Sequence, residues 1–290
     1  MASSEPTSPP KSRAGRDLPA AIAVGLLLFG IVVVTLMWWP PGFIILLVVL
    51  TSLGAVELHQ ALMKIGMRSA IVPVVIGNIL IIGGSYLAAT LQNVTNVPWH
   101  VVLLGTIGGT ILLSLMWRMF GGADGYVRDS AASLFIIGYL PVMASFVGLL
   151  LAQDHGVAKV VAAFLCIVGS DTGGYAAGAS LGKHPMAPNI SPKKTWEGLA
   201  GSFALAGVLG IGMAKLVMHQ PWWIGAILAV VVVVFGTAGD LIESLIKRDV
   251  GIKDMSSFLP GHGGVMDRLD STLVAVPAAW LLFTLVGVGA

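Results

Sequence analysis

The chain predicts an all-α polytopic membrane protein, a bundle of about nine transmembrane helices. Three observations carry this expectation. Mean hydropathy is +0.91. Apolar runs of about 20 residues recur, the length that crosses a hydrocarbon core about 30 Å thick. The 290 residues are 56% hydrophobic and only 10% charged, which leaves no stretch for a large soluble domain.

Residues 1–17, MASSEPTSPPKSRAGRD, are polar and rich in Ser and Pro, and read as a disordered cytoplasmic tail. The first apolar run ends at Trp38 and Trp39 before Pro40 and Pro41 without a small-residue cleavage pattern, so it is expected to remain as an anchor. Helices are expected over residues 19–39, 42–63, 70–91, 99–118, 131–152, 157–181, 197–218, 222–246 and 271–289. The first five, within 18–152, form a scaffold; the last four, within 153–290, carry the charged loops.

Charge fixes the expected orientation. With the N-terminus in the cytoplasm, Lys64, Arg68, Arg118, Arg128, Lys183, Lys193, Lys194, Lys247, Arg248, Lys253 and Arg268 join Lys11, Arg13 and Arg16 inside, fourteen of the sixteen Lys and Arg residues. Only Lys159 and Lys215 fall near the outer side, the asymmetry that the positive-inside tendency requires, and the C-terminus is then outside. Trp38, Trp39, Trp99, Trp222 and Trp223 collect at the outer helix ends, where amphipathic rings favour the interface. A net charge of +2 gives no reason to expect a nucleic-acid partner. The single cysteine, Cys166, has no disulfide partner and reads as packing. Gly105 with Gly109, and Gly174, Gly178 and Gly182, recur at spacings of four and are expected to admit close helix contact, the second series beside Asp171.

The chemistry is expected where the apolar pattern breaks. Eight of the fourteen acidic residues lie between 171 and 270: Asp171, Glu197, Asp240, Glu243, Asp249, Asp254, Asp267 and Asp270. An ionised side chain at membrane depth costs at least about 2.5 to 3.5 kcal/mol unless paired or hydrated, so these carboxylates should face a wet cavity. Asp240, Glu243, Ser244 and Lys247 share one helical face. Asp267 and Asp270 repeat that spacing where a helix begins and its dipole favours carboxylates. Hard oxygen ligands from two helices suit Mg²⁺, which takes one or two carboxylates and completes its shell with water and substrate phosphates. An ordinary salt-bridge network accounts for Asp240 with Lys247, or Asp267 with Arg268, taken as pairs. It does not account for His262 among Gly261, Gly263 and Gly264, glycines that permit close ligand approach. The loop GKHPMAPNISPKKTWEG, residues 182–198, sets Lys183, Lys193 and Lys194 with Ser191 and Thr195 before a helix N-terminus, a combination suited to phosphate oxygens. Positive-inside orientation explains those lysines but not the turn formed by Ser191, Pro192 and Thr195.

The segment GDLIESLIKRDVGIKDMSSFLPGHGGVMDRLD, residues 239–270, resembles the signature of phosphatidate cytidylyltransferases, also called CDP-diacylglycerol synthases. Every position of the pattern S-x-x-K-R-x4-K-D…H-G-G-x-x-D-R-x-D is present, and the resemblance extends to SDTGGYAAG from Ser170 and ISPKKTWEG from Ile190. It spans roughly the last two fifths of the chain; Gly174 stands where relatives often carry Ala.

The resemblance implies condensation of CTP with phosphatidic acid to CDP-diacylglycerol and pyrophosphate, a step of phospholipid biosynthesis at the inner membrane with the site facing the cytoplasm. It also implies Mg²⁺ as cofactor with K⁺ as a second ion, Asp240 and Asp267 as metal ligands, and a homodimer with contacts in the scaffold. Lys193, Lys194, Lys247 and Arg248 are then expected to meet phosphates, while Asp171, Asp254, His262 and Asp270 support metal or orient nucleotide. Ser191, Thr195, Glu197, Ser244, Lys253, Gly263, Gly264 and Arg268 complete the expected substrate-binding set. The lipid phosphomonoester, with a second pKa of about 6, is already anionic at neutral pH, so positioning rather than a strong base is required. Two other readings fit parts of the pattern: a CTP-dependent lipid kinase, and a cation transporter using the intramembrane Glu57 and His59, a pair otherwise read as helix packing.

Overall fold

A computed structural model describes residues 18–256, 258 and 263–288, with residues 18–24 as backbone only. The expected tail, residues 1–17, and His262 lie outside the described residues. In chain order the helices are α1 (Leu18–Trp38), α2 (Pro40–Lys64), α3 (Ile71–Thr90), α4 (Gln92–Thr95), α5 (Trp99–Met119), α6 (Tyr126–Ile137), α7 (Met143–Leu151), α8 (Gly156–Leu181), α9 (Trp196–Gly212), α10 (Trp222–Val250) and α11 (Met266–Val286). Among the described residues eight stretches are long and apolar enough to cross a membrane: α2, α3, α5, α6 continuing through α7, α8, α9 with its π-helical end, α10 and α11. These match eight of the nine expected helices, and α1 occupies the place of the other.

Local chemistry sets the ends. Pro40 opens α2 at a position where its missing N–H is no loss. Gly251, in the left-handed region, closes α10, and the Ile252 N–H turns back to the Lys247 carbonyl at 2.8 Å. The helix expected over 131–152 starts earlier, at Tyr126, and carries a π-helical turn, Gly138–Val142, around Pro141, which has no N–H to give the regular ladder. The all-α expectation gains one small exception: β1 (Pro185–Ala187) and β2 (Ser191–Thr195) form an antiparallel hairpin pairing Pro185 with Thr195 and Ala187 with Ser191. Pro185, Pro188 and Pro192 keep that loop from coiling.

The core lies where α2, α3, α6, α7, α10 and α11 meet, filled by fully buried Leu58, Ile81, Ile82, Ile136, Leu140, Leu150, Leu228, Leu273 and Phe283. Cys166 is buried and unbonded to another cysteine, as the packing reading expects. α5 lies at the edge, burying only Leu103, Thr110 and Ser114. It docks on α3 by setting Thr110 against Gly77, so Gly105 and Gly109 point elsewhere, with no atom within 4 Å of where a Cβ would sit. The expected close contact through those two glycines is therefore absent among the described residues. The second glycine series does admit close contact between α8 and α9: a Cβ on Gly174 would lie 2.6 Å from Ser202 Oγ and one on Gly178 3.4 Å from Thr195 Oγ1, and at neighbouring Gly173 it would lie 2.4 Å from the Gly201 carbonyl oxygen.

The two ends of the bundle differ. At one, Trp99 stacks edge-on against Trp280, and buried Lys159 donates to Gln153 Oε1 at 2.9 Å. At the other, buried Asp129 of α6 accepts from Arg118 Nε of α5 at 2.8 Å and from the Arg68 N–H, between α2 and α3, at 2.9 Å. One carboxylate thereby ties four spans together at the end that carries the charged loops.

Candidate active site

At this charged end α8, the β2–α9 junction, α10 and α11 enclose a cavity of about 360 Å³. Asp171, Lys193, Lys194, Thr195, Asp240, Asp267 and Asp270 all line it, so seven of the sequence-predicted site residues converge from four parts of the chain. Each is placed by a local device. Thr195 caps α9, its Oγ1 accepting the Gly198 N–H at 3.1 Å, and this turns β2 so that Lys193 and Lys194 face the cavity. Gly239 lets α10 lie against α11: a Cβ there would be 2.4 Å from the Asp270 carbonyl oxygen. Asp240 and Asp270 are thereby brought side by side.

Charges within and behind the cavity are paired across elements. Asp240 accepts from Lys194 Nζ and, at 2.5 Å, from the Ser271 hydroxyl. Lys247 Nζ bridges Glu243 Oε2 at 2.5 Å and Asp267 Oδ1 at 2.9 Å. Asp267 Oδ2 also accepts the Gly264 N–H at 2.8 Å and the Met255 N–H at 3.1 Å. Glu243 Oε1 and the Tyr139 hydroxyl are buried with no hydrogen-bond partner among the described residues.

The donor chemistry fits a hard cation. The cavity collects four carboxylates, and orphaned oxygens lie buried beside it, while among the described residues no three His, Cys, Asp or Glu side chains cage an ion unaided. Carboxylate oxygens are the hard donors that Mg²⁺ takes, one or two at a time beside water and substrate phosphates.

The cytidylyltransferase family profile matches residues 19–286. The chain belongs to this family. A phosphatidate cytidylyltransferase of Mycobacterium bovis is 38% identical over 290 residues, covering 94% of this chain and 90% of the relative. One of Mycobacterium leprae is 36% identical over 292 residues, covering 94% and 89%. One of Pseudomonas aeruginosa is 35% identical over 215 residues, covering 70% and 78%.

The remaining expected residues of this cytidylyltransferase lie around the cavity rather than on its wall. Arg248 is exposed, and its Nε donates to the Ile190 carbonyl, holding the hairpin down on α10. Glu197 accepts from His184 Nδ1 at 2.5 Å and from the Lys183 and His184 N–H groups at 3.2 and 3.3 Å, closing the loop before β1. Ser191 opens β2, and Ser244 is half-buried on α10. Lys253 and Asp254 are exposed in the turn after α10, and Arg268 is exposed on α11. Gly263 takes φ +81°, a conformation that favours glycine, and Gly264 is buried.

Four residues take places that the sequence reading does not assign. Ser271, four residues after Asp267, lies on the acidic face of α11, and its spacing was the available signal. Ser202 and Thr237 line the cavity with no pattern to announce them. Glu57 of α2, a lone acid in an apolar run, reaches the loop before α11: it accepts from Ser256 Oγ at 2.5 Å and from the Val265 and Met266 N–H groups, each at 2.9 Å. Its neighbour His59 turns to a separate partner, meeting Ser69 Oγ at 2.6 Å.

Proposed function

We infer that the chain is a phosphatidate cytidylyltransferase that condenses CTP with phosphatidic acid to CDP-diacylglycerol and pyrophosphate in phospholipid biosynthesis. The observation that carries the reading is the convergence of Lys193 and Lys194 with Asp171, Asp240, Asp267 and Asp270 on one cavity. The named relatives support the choice of substrates.

A phosphate oxygen of phosphatidic acid attacks the α-phosphorus of CTP in line; the new P–O bond forms as the bond to the β-phosphate oxygen breaks and pyrophosphate leaves. Lys193 and Lys194 hold the triphosphate and offset the repulsion between two polyanions. Lys247 bridges Asp267 and Glu243 and holds the two carboxyl groups side by side. Asp240 and Asp267 would hold Mg²⁺, with K⁺ as a second ion; bound there, the divalent cation supplies neutralisation of phosphate charge. The acyl chains stay among apolar helices while the headgroup reaches the polar cavity.

The same reading places α1 across the bilayer as a ninth span, the N-terminus and the cavity on the cytoplasmic side of the inner membrane and the C-terminus outside. The excess of Lys and Arg at the cavity end supports it. It also carries the homodimer, which the mass of the purified particle reads directly.

The test is the purified chain with CTP and phosphatidate, with and without Mg²⁺. CDP-diacylglycerol and pyrophosphate in equal amounts, only with Mg²⁺, is the expected result. Release of CDP with a phosphorylated lipid overturns it in favour of γ-phosphoryl transfer.

A further inference from the structure

The first helices carry no part of the family signature, yet one of them grips the catalytic loop. Glu57 is buried, 6% exposed, in the last third of α2. A carboxylate there is costly unless it is fully used. It is: Oε1 accepts from Ser256 Oγ and the Val265 N–H, and Oε2 from the Met266 N–H. Helix α11 begins here without a side-chain cap of its own, since Val265 has no side-chain oxygen to offer its first N–H groups. Glu57 supplies that cap from another helix.

The cap bears directly on Asp267. Gly264 is clamped between two carboxylates: a Cβ at that position would lie 2.8 Å from Glu57 Oε2 and 3.1 Å from Asp267 Oδ2. The Gly264 N–H donates to Asp267, while the peptides after it donate to Glu57. Glu57 and Asp267 therefore hold opposite sides of one short turn, and the direction of the Asp267 carboxylate depends on both.

We propose that Glu57 is a positioning residue for the transferase reaction: by capping α11 from α2 it sets the turn at Gly264 and hence the orientation of the Asp267 carboxylate in the cavity. The proposal rests on the activity and the role of Asp267 inferred above. Glu57 touches no substrate. Glu57→Gln keeps the size but replaces one accepting oxygen with an N–H donor facing a peptide N–H. Glu57→Asp keeps both oxygens and draws them back by one methylene.

Full-length variants in lipid nanodiscs are compared with the unmodified chain by three readouts: kcat, Mn²⁺ affinity from the electron paramagnetic resonance of free Mn²⁺, and hydrogen exchange at residues 264–266. For folded Glu57→Gln, the expected results are weaker Mn²⁺ binding and lower kcat, each by about 10- to 100-fold, with faster exchange at those amides. Glu57→Asp falls between. Folded Glu57→Gln with unchanged kcat, Mn²⁺ affinity and exchange overturns the proposal. Activity lost only in proportion to unfolded chain also overturns it. Ser256→Ala, which deletes one bond of the cap and leaves no buried charge unpaired, decides the matter if Glu57→Gln does not fold: smaller shifts in the same direction support the role, and unchanged values overturn it. An unmodified chain without turnover refutes the activity reading alone, because the Mn²⁺ and exchange measurements still judge Glu57.

Discussion

Replacing Gly239 with alanine drives a methyl group into the seam between α10 and α11. It would sit 2.4 Å from the Asp270 carbonyl oxygen, 3.0 Å from the carbonyl carbon and 3.1 Å from Ser271 Cα. Ordinary contacts are about 3.5 to 4.0 Å, so the helices must part locally by about 1 Å. All three obstacles are backbone, and no rotamer change relieves them. The parting moves Asp240, the next residue, away from Ser271, whose hydroxyl holds it at 2.5 Å, and away from Asp270. A displacement of about 1 Å in a reacting constellation lowers turnover by about 100-fold, and overpacking of this kind costs about 1 to 3 kcal/mol of stability. Gly236→Ala, one turn earlier on α10, is the matched control, because its methyl meets only Ser271 Cβ at an unstrained 3.7 Å. CDP-diacylglycerol formation and denaturant unfolding in nanodiscs read both variants. Equal kcat in folded Gly239→Ala and Gly236→Ala would show that this seam does not set the cavity.

Asp267→Ala is expected to abolish CDP-diacylglycerol formation while the protein inserts and folds, whereas Lys64→Ala, exposed at the end of α2, keeps most activity; substantial turnover by folded Asp267→Ala refutes its role, and equal losses at both point to general fragility. Arg118→Ala leaves Asp129, 2% exposed, without its closest cation and should destabilise by about 3 to 5 kcal/mol. Arg128→Ala removes a 3.6 Å contact from a side chain 56% exposed and should cost less than about 1 kcal/mol, the two being compared by unfolding in mixed micelles. Thr195→Ala removes the α9 cap, for which about 1 kcal/mol of stability is expected, together with a raised KM for CTP as Lys193 and Lys194 lose their aim; an unchanged KM argues against that coupling.

Helix positions were legible because an apolar run of span length has one solution in lipid, a helix that satisfies its own backbone. Helix ends were less so. The start of α11 at Met266 depends on an acceptor 209 residues away, which no local pattern encodes. The π-turn at Pro141 could have been suspected from the proline, but its position beneath the acidic cluster could not. The acidic and basic residues of the cavity were legible because isolated charges are rare in so apolar a chain. Ser202 and Thr237 were not, since hydroxyls are common in membrane helices and only packing selects these two. The glycines divide for the same reason: Gly174 and Gly178 of α8 face α9, whereas Gly105 and Gly109 have the same spacing and face no neighbour.

The bond from α2 to the threshold of α11 also orders events in time. Chains emerge at about 5 to 20 residues per second, so Glu57 leaves the ribosome roughly 10 to 40 s before Met266, its partner 209 positions later. Through that interval Glu57 lacks the Ser256, Val265 and Met266 donors that it holds in the folded chain. Asp267 and Asp270 arrive on that same helix, so a chain cut before α11 is without two of the four carboxylates that line the cavity.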